Sequence, residues 1–240
     1  NFRIIKGTAV YTSAFTPPTE PLTVISGTSL LINGDGASII DASQTSALTL
    51  AGNTKSSTTQ IKYGNSSMYF DGTPSANDIH IAYDNPLYIL GTEDWTIEGW
   101  FYKNGGVGDQ GVWSFSRSGV GAGTNVPHLW LNPTGLYYHV NNATQIQGAV
   151  LANATWTHIA VTRSGNDHKL FINGVQSGST WTNAITYSQG RPTIGNMYSA
   201  LNVMAATDKV FSGYVQDFRV TKGLARYTTT FTPPAALLEG

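Results

Sequence analysis

Trp95–Lys103 reads WTIEGWFYK, and its alternation decides the fold class. Trp95, Ile97, Gly99 and Phe101 share one face of an extended chain, and Thr96, Glu98, Trp100 and Tyr102 share the other. Aromatic and β-branched residues dominate the stretch, which suits the pleated, half-buried surface of a strand. At ~3.3 Å per residue it spans about 30 Å, the length of a central strand in a large sheet. The Gly-rich run Asn104–Gly111 ends it.

The same pattern repeats outward in both directions. Upstream, Thr23–Ile32, Ile39–Asp41, Leu48–Leu50, Ser67–Gly72 and Ile79–Tyr83 read as short strands. Turn signals such as Asn33-Gly34-Asp35-Gly36 separate them, and Ser56–Asn65 reads as polar loop. Downstream, strands are expected at Val112–Ser116, His128–Leu131, Leu136–Val140, Trp156–Arg163, His168–Ile172, Arg191–Gly195 and Gly213–Val220. Ser164-Gly165-Asn166-Asp167 predicts a hairpin between Trp156–Arg163 and His168–Ile172. No run carries a sustained helical period. About a dozen short strands divided by turns predict an all-β fold, a two-sheet antiparallel jelly-roll sandwich.

A second pattern sets the organisation of the chain. DFRVTKGLARYTTTFTPP (residues 217–234) repeats NFRIIKGTAVYTSAFTPP (residues 1–18) at a constant offset of 216 positions. Such a repeat defines the structural unit. Residues 1–22 therefore read as the tail of a preceding repeat plus a Pro-rich connector, and residues 23–240 as one module ending in its own tail. Within each tail a glycine, Gly7 or Gly223, follows a strand-like stretch and supplies a tight turn. Tyr11 and Phe15, like Tyr227 and Phe231, are placed to fold back as apolar anchors. With Phe2, Ile4, Phe218 and Val220 they are the expected assembly residues, through which modules join to copies of themselves or to neighbouring repeats.

Composition narrows the function. Charged residues make up 11% of the chain and the net charge is −1. No basic stripe addresses nucleic acid. No apolar run approaches the ~20 residues of a spanning helix, so no membrane insertion is expected. The chain has no cysteine, which excludes disulfides, thiolate chemistry and cysteine zinc sites.

Ser67–Gly72 (SMYFDG), Trp95–Trp100 (WTIEGW), Trp156–Val161 (WTHIAV), Leu170–Gly174 (LFING) and Gly213–Arg219 resemble, in order and spacing, the successive motifs of laminin-G-like, concanavalin A-like jelly-roll modules. The resemblance covers residues 67–220. The FRxxKGxAxYTxxFTPP tail resembles a narrower group, tandem jelly-roll repeats in virion structural proteins of marine tailed bacteriophages. It implies a structural or adhesive module of a fibre, at a virion surface or outside the cell. It also implies cell-surface glycans as a second kind of partner.

Glu98 stands alone on its strand, and glycoside hydrolysis needs two carboxylates at a set separation. The reading is therefore of a protein that is not an enzyme, with Glu98 a satisfied polar residue and no catalytic residue assigned. Asp71 and Asp78 are the candidate calcium ligands, since relatives of the resembled family hold calcium at the sandwich rim. No cofactor is otherwise expected. His80, His128, His139, His158 and His168 show no zinc spacing, and His158 reads as structural. Trp100, His128, Trp130 and Tyr138 are the candidate glycan-stacking residues, because aromatic faces pack against pyranose rings.

Overall fold

The computed structural model describes residues 2–5, 7, 9–19, 28–32, 48–73, 78–80, 86–106, 108–115, 125–141, 143–188, 191–197 and 209–238. Its strands in chain order are β1 (Phe2–Ile5), β2 (Thr28–Ile32), β3 (Thr49–Ala51), β4 (Lys55–Ser57), β5 (Ser67–Asp71), β6 (Asp78–His80) and β7 (Trp95–Lys103). Then come β8 (Gln110–Ser114), β9 (His128–Asn132), β10 (Gly135–Val140), β11 (Ala143–Gly148), β12 (Trp156–Ser164) and β13 (Asp167–Ile172). β14 (Val175–Gln176), β15 (Trp181–Thr182), β16 (Thr193–Ile194), β17 (Asn196–Met197), β18 (Lys209–Val210) and β19 (Ser212–Lys222) complete the set. One 3-10 turn, Pro86–Tyr88, is the helical element among the described residues.

The chain divides into two compact units, Asn1–Ala37 and Ser38–Gly240. In the first, β1 pairs antiparallel with β2, with Arg3 opposite Leu31. Its tail carries Tyr11 and Phe15 stacked at 3.7 Å and 9°. Of Thr23–Ile32, expected to open the module, the described part is Thr28–Ile32, the strand that pairs with β1. Ile39–Asp41 falls outside the described residues.

The second unit is the expected sandwich. One sheet runs β11-β10-β9-β8-β16-β6-β3, and the other runs β14-β13-β12-β7-β19-β5-β4, with β15 also on β13. The hairpin predicted at Ser164–Asp167 forms, with Ser164 opposite Asp167. Ile97, Phe101, Ile159, Val161 and Leu170 from one sheet meet Trp113, Leu129, Leu131, Leu136 and Tyr138 from the other, all buried. Burying each such side chain contributes about 1.5–3 kcal/mol.

Ser56 and Ser57, read as the start of the polar loop Ser56–Asn65, form with Lys55 an edge strand on β5. Its Lys-Ser-Ser composition carries no β signal, and pairing alone makes it a strand. β7 is buried on both faces, Trp95–Phe101 without interruption, whereas its alternation predicts one wet face. The reason is the C-terminal tail, which lies on that second face.

Candidate functional site

The face of the eight-stranded sheet turned away from the core is laid out in cross-strand rows. Register aligns Thr221, Thr96, Thr162 and Lys169 in one row and Arg219, Glu98, Ala160 and Phe171 in the next. Gln216, Trp100 and His158 form a third. After Gly223, whose φ is +82°, the tail crosses these rows. Arg226 N donates to Thr96 Oγ1 at 2.8 Å, and Thr96 Oγ1 donates to Leu224 O at 3.1 Å. Lys169 Nζ donates to Thr228 O at 2.7 Å, and Phe231 N to Gly174 O at 2.9 Å. Tyr227 and Phe231 stack at 3.6 Å and 7°, with Phe231 edge-on to Phe171 and to His158. The chain then returns, with Tyr63 Oη donating to Pro234 O at 2.9 Å and Leu238 N to Asp217 Oδ2 at 3.2 Å.

Glu98, 1% exposed, is the anion under this clasp. Arg219 donates to Oε1 through Nη2 at 2.7 Å and Nε at 3.0 Å. Tyr227 Oη donates to Oε2 at 2.8 Å, and His158 Nε2 lies 3.2 Å from the same oxygen. Burial pushes the carboxyl pKa up. The His158, Arg219 and Tyr227 contacts and the Arg219 charge outweigh that and hold it below its ordinary value. Burial and then the Glu98 charge push the Tyr227 phenol up to about 12, so it remains a donor.

A bulge brings Arg219 to this face. β19 steps from Gln216 opposite Trp100 to Arg219 opposite Glu98, one residue more than β7 uses. Asp217 takes φ +52° there. A Cβ on Gly99 would lie 3.3 Å from Phe218 Cα and 3.4 Å from Asp217 O, so the absent side chain of Gly99 accommodates the bulge. Burial raises the Asp217 carboxyl pKa, with the Leu238 amide and Arg219 opposing and the Glu98 charge adding to the rise.

The candidate glycan residues do not converge. Trp100 sits on β7, 5% exposed, edge-on to Tyr63 and His158 with Lys62 Nζ 4.2 Å above its ring. His128, Trp130 and Tyr138 belong to the other sheet. Tyr138 points into the core and shares a 2.6 Å hydrogen bond with Tyr187. His128 is buried, and burial with the nearby His139 takes its pKa down to about 3. Trp130 instead stacks on Tyr137, its register partner, at 4.2 Å and 16°. Tyr137 Oη is tied to Thr134 Oγ1 at 2.6 Å and accepts from Gln147 Nε2 at 3.3 Å.

Asp71 and Asp78 are likewise separated, on β5 and β6 of different sheets. Asp71 accepts from Thr73 N at 2.8 Å and Asn53 Nδ2 at 2.7 Å, while Asp78 Oδ1 contacts His80 Nδ1 at 2.5 Å. Among the described residues no three His, Asp or Glu side chains group as metal ligands. Of the assembly residues, Phe218 and Val220 pack against the core and Tyr227 and Phe231 form the clasp. Phe2 and Ile4 lie on β1, and Tyr11 and Phe15 are half-exposed. Sequence reasoning missed that Arg219 and Tyr227 serve one carboxylate. The available signal was their recurrence as Arg3 and Tyr11 at the same spacing.

Domain 4 of AbnA, a GH43 extracellular arabinanase from Geobacillus stearothermophilus solved with arabinotriose, superposes with TM-score 0.54 at 14% identity, covering 77% of this chain and 87% of that one. The binding domain of Paraclostridial Mosquitocidal Protein 1 gives 0.58 at 14%, covering 82% and 47%. Domains LG4-5 of the mouse laminin alpha1 chain give 0.50 at 15%, covering 65% and 40%. The chain thus spans less than half the length of the last two. No curated protein sequence matches. A laminin-G family model, described as the Concanavalin A-like lectin/glucanases superfamily, matches residues 71–225, and the chain belongs to that family.

Proposed function

We propose that this chain is a non-catalytic structural and adhesive module of a repeat-built surface or fibre protein, at a virion surface of a tailed bacteriophage in particular. The observation that carries the reading is the clasp. It lies over the one sheet-face carboxylate that β7 offers, and both oxygens of Glu98 are occupied by Arg219, Tyr227 and His158. A hydrolase of sugars needs a carboxyl free to hand a proton to the leaving oxygen and a second to act on the anomeric carbon. Here Asp217 is near enough to feel the Glu98 charge, yet its carboxylate accepts the Leu238 amide beneath the returning tail. A reducing-sugar assay over a polysaccharide panel tests the reading. No release is expected, and release abolished by Glu98→Gln and Asp217→Asn overturns it.

Glycan recognition is the second reading. The Trp130–Tyr137 stack favours it, with Thr134 and Gln147 placing hydrogen-bonding groups at its edge. Domain 4 of AbnA, a structural neighbour at low identity, was solved with a trisaccharide. A glycan array on the full chain tests it. Signal that falls with Trp130→Ala supports it, and signal unchanged by that substitution removes the stack from the reading.

A further inference from the structure

We infer that the N-terminal clasp, residues 7–18, is a ligand for the Glu98 face of a second sandwich of this same kind, in exchange for that sandwich's own C-terminal clasp. Three observations meet. The first is shape: Tyr11–Phe15 stacks at 3.7 Å and 9°, Tyr227–Phe231 at 3.6 Å and 7°. The turn glycines before them have φ +88° and +82°. The aromatic pair is therefore preformed.

The second is the pattern of identity between the two copies. In the C-terminal clasp Ala225, Tyr227, Phe231, Pro233 and Pro234 are partly buried. All five recur, as Ala9, Tyr11, Phe15, Pro17 and Pro18. The four positions that differ between residues 223 and 234, namely Leu224, Arg226, Thr229 and Thr230, are all exposed. The N-terminal copy thus keeps the surface that touches a sheet and varies where the other copy touches water. Yet its own Tyr11 is 46% exposed and its Phe15 51%.

The third is what stands opposite. Arg219 pairs across the strands with Glu98, whereas Arg3 stands opposite Leu31. The first unit keeps the arginine and the tyrosine in its sequence, and among the described residues the register sets Leu31 opposite the arginine. Most contacts that seat the C-terminal clasp are made by its backbone, at Leu224 O, Arg226 N, Thr228 O and Phe231 N. Among the described residues Val10 N, Thr12 O and Phe15 N are the corresponding groups of the N-terminal copy. Tyr11 Oη supplies the side-chain bond, to the partner's carboxylate at the Glu98 position, as Tyr227 does.

The inference rests on reading the chain as a repeat module, and its test is separable from the sugar-release assay. Because the chain has no cysteine, single cysteines report contact. Phe231 N bonds Gly174 O, which brings the peptide group joining Thr230 and Phe231 to the one joining Gly174 and Val175, and Ala14 is the counterpart of Thr230. One full-length chain carries Ala14→Cys. The other carries Val175→Cys with Tyr227→Ser and Phe231→Ser, which frees its sheet face. Mixed under mild oxidation, they are expected to form an inter-chain disulfide. Light scattering should show a mass approaching twice that of one chain, and Tyr11→Ser with Phe15→Ser in the donor should abolish both. If the opened chain fails to fold, Tyr227→Ser alone, which removes both the stack on Phe231 and the bond to Glu98, replaces it. No disulfide between folded partners overturns the inference. So does a disulfide that survives loss of Tyr11 and Phe15, or one that forms within a single chain carrying both cysteines without dimers. A sugar-releasing activity would overturn the module reading and leave this result standing.

Discussion

Tyr227 donates its phenolic hydrogen to Glu98 Oε2 at 2.8 Å across 129 positions of sequence. That bond joins the repeated tail to the strand that organises the sandwich. It sits in a water-poor layer between the sheet and the Tyr227–Phe231 stack, where hydrogen bonds to a charged group contribute about 1.5–3 kcal/mol each.

Glu98→Gln keeps the shape and removes the charge. Arg219 retains some access to water, with 19% of its side chain exposed, so the cost is expected at about 1.5–3 kcal/mol rather than the larger penalty of a wholly buried orphan charge. Urea unfolding with an unchanged m-value should report it. Glycan binding, read at the Trp130–Tyr137 stack of the other sheet, should be intact.

Two glycines in similar backbone conformations should respond differently to alanine. Gly174 has φ +80°, and a Cβ there would run into the carbonyl of Phe231; Gly223 has φ +82° with nothing within 4 Å. Gly223→Ala should cost about 1 kcal/mol of backbone strain. Gly174→Ala should cost more and dislodge the clasp, detected as faster hydrogen exchange at the Phe231 amide. Equal melting temperatures for the two variants would refute this.

Stability should fall as acid is added from neutral pH. His128 and His168 are buried, and desolvation depresses their pKa values to about 3 and about 4 from 6.5. A depressed folded pKa gives a contribution that is full above 6.5. It is lost as pH falls toward about 4 for His168 and about 3 for His128. Glu98 and Asp71, also depressed, add the same sign below their ordinary carboxyl range. Asp217, raised by burial, opposes them by favouring the fold as it protonates. Thermal melts from pH 7 to pH 4 should show a falling midpoint, with a shallower fall in His168→Gln.

The His168 ring should hold its proton on Nδ1. That atom faces two carbonyl oxygens, of Asn166 at 3.1 Å and Trp181 at 3.2 Å, which only accept. Nε2 must then accept from Tyr187 Oη at 2.9 Å, and Tyr187 Oη from Tyr138 at 2.6 Å. Nitrogen chemical shifts of the ring distinguish the tautomers, and an Nε2-protonated neutral ring would contradict the chain of donors.

The sandwich was legible because strand alternation is local. Trp95–Lys103 has the same limits in sequence and in structure, and the aromatic anchors of the tail behave as their spacing suggests. The candidate site was less legible because it depends on parity and register. Tyr138 points inward while its neighbour Tyr137 meets Trp130, and one residue decides which of them can face a ligand. The Gln216–Arg219 bulge adds a step that period-two reading cannot see. Without it Arg219 would face the core and Glu98 would have no guanidinium.

The layout of the clasp also has a mechanical consequence. Its attachments follow one another along the chain: Asp217 to Leu238, Tyr63 to Pro234, Gly174 to Phe231, Lys169 to Thr228 and Glu98 to Tyr227. Tension drawn through residue 238 therefore loads them one at a time, from the end inward, while the ladder between β19 and β7 stays unloaded until Gly223. Residues 223–238 would pay out at most about 50 Å of slack at ~3.3 Å per residue before either sheet opens. In a single-molecule pulling trace the clasp should appear as a low-force step of that length preceding rupture of the sandwich, and Tyr227→Phe, which leaves the Arg219–Glu98 pair across β19 and β7 in place, should lower that step alone. A single rupture with no preceding extension would show that the tail and the sheets yield together.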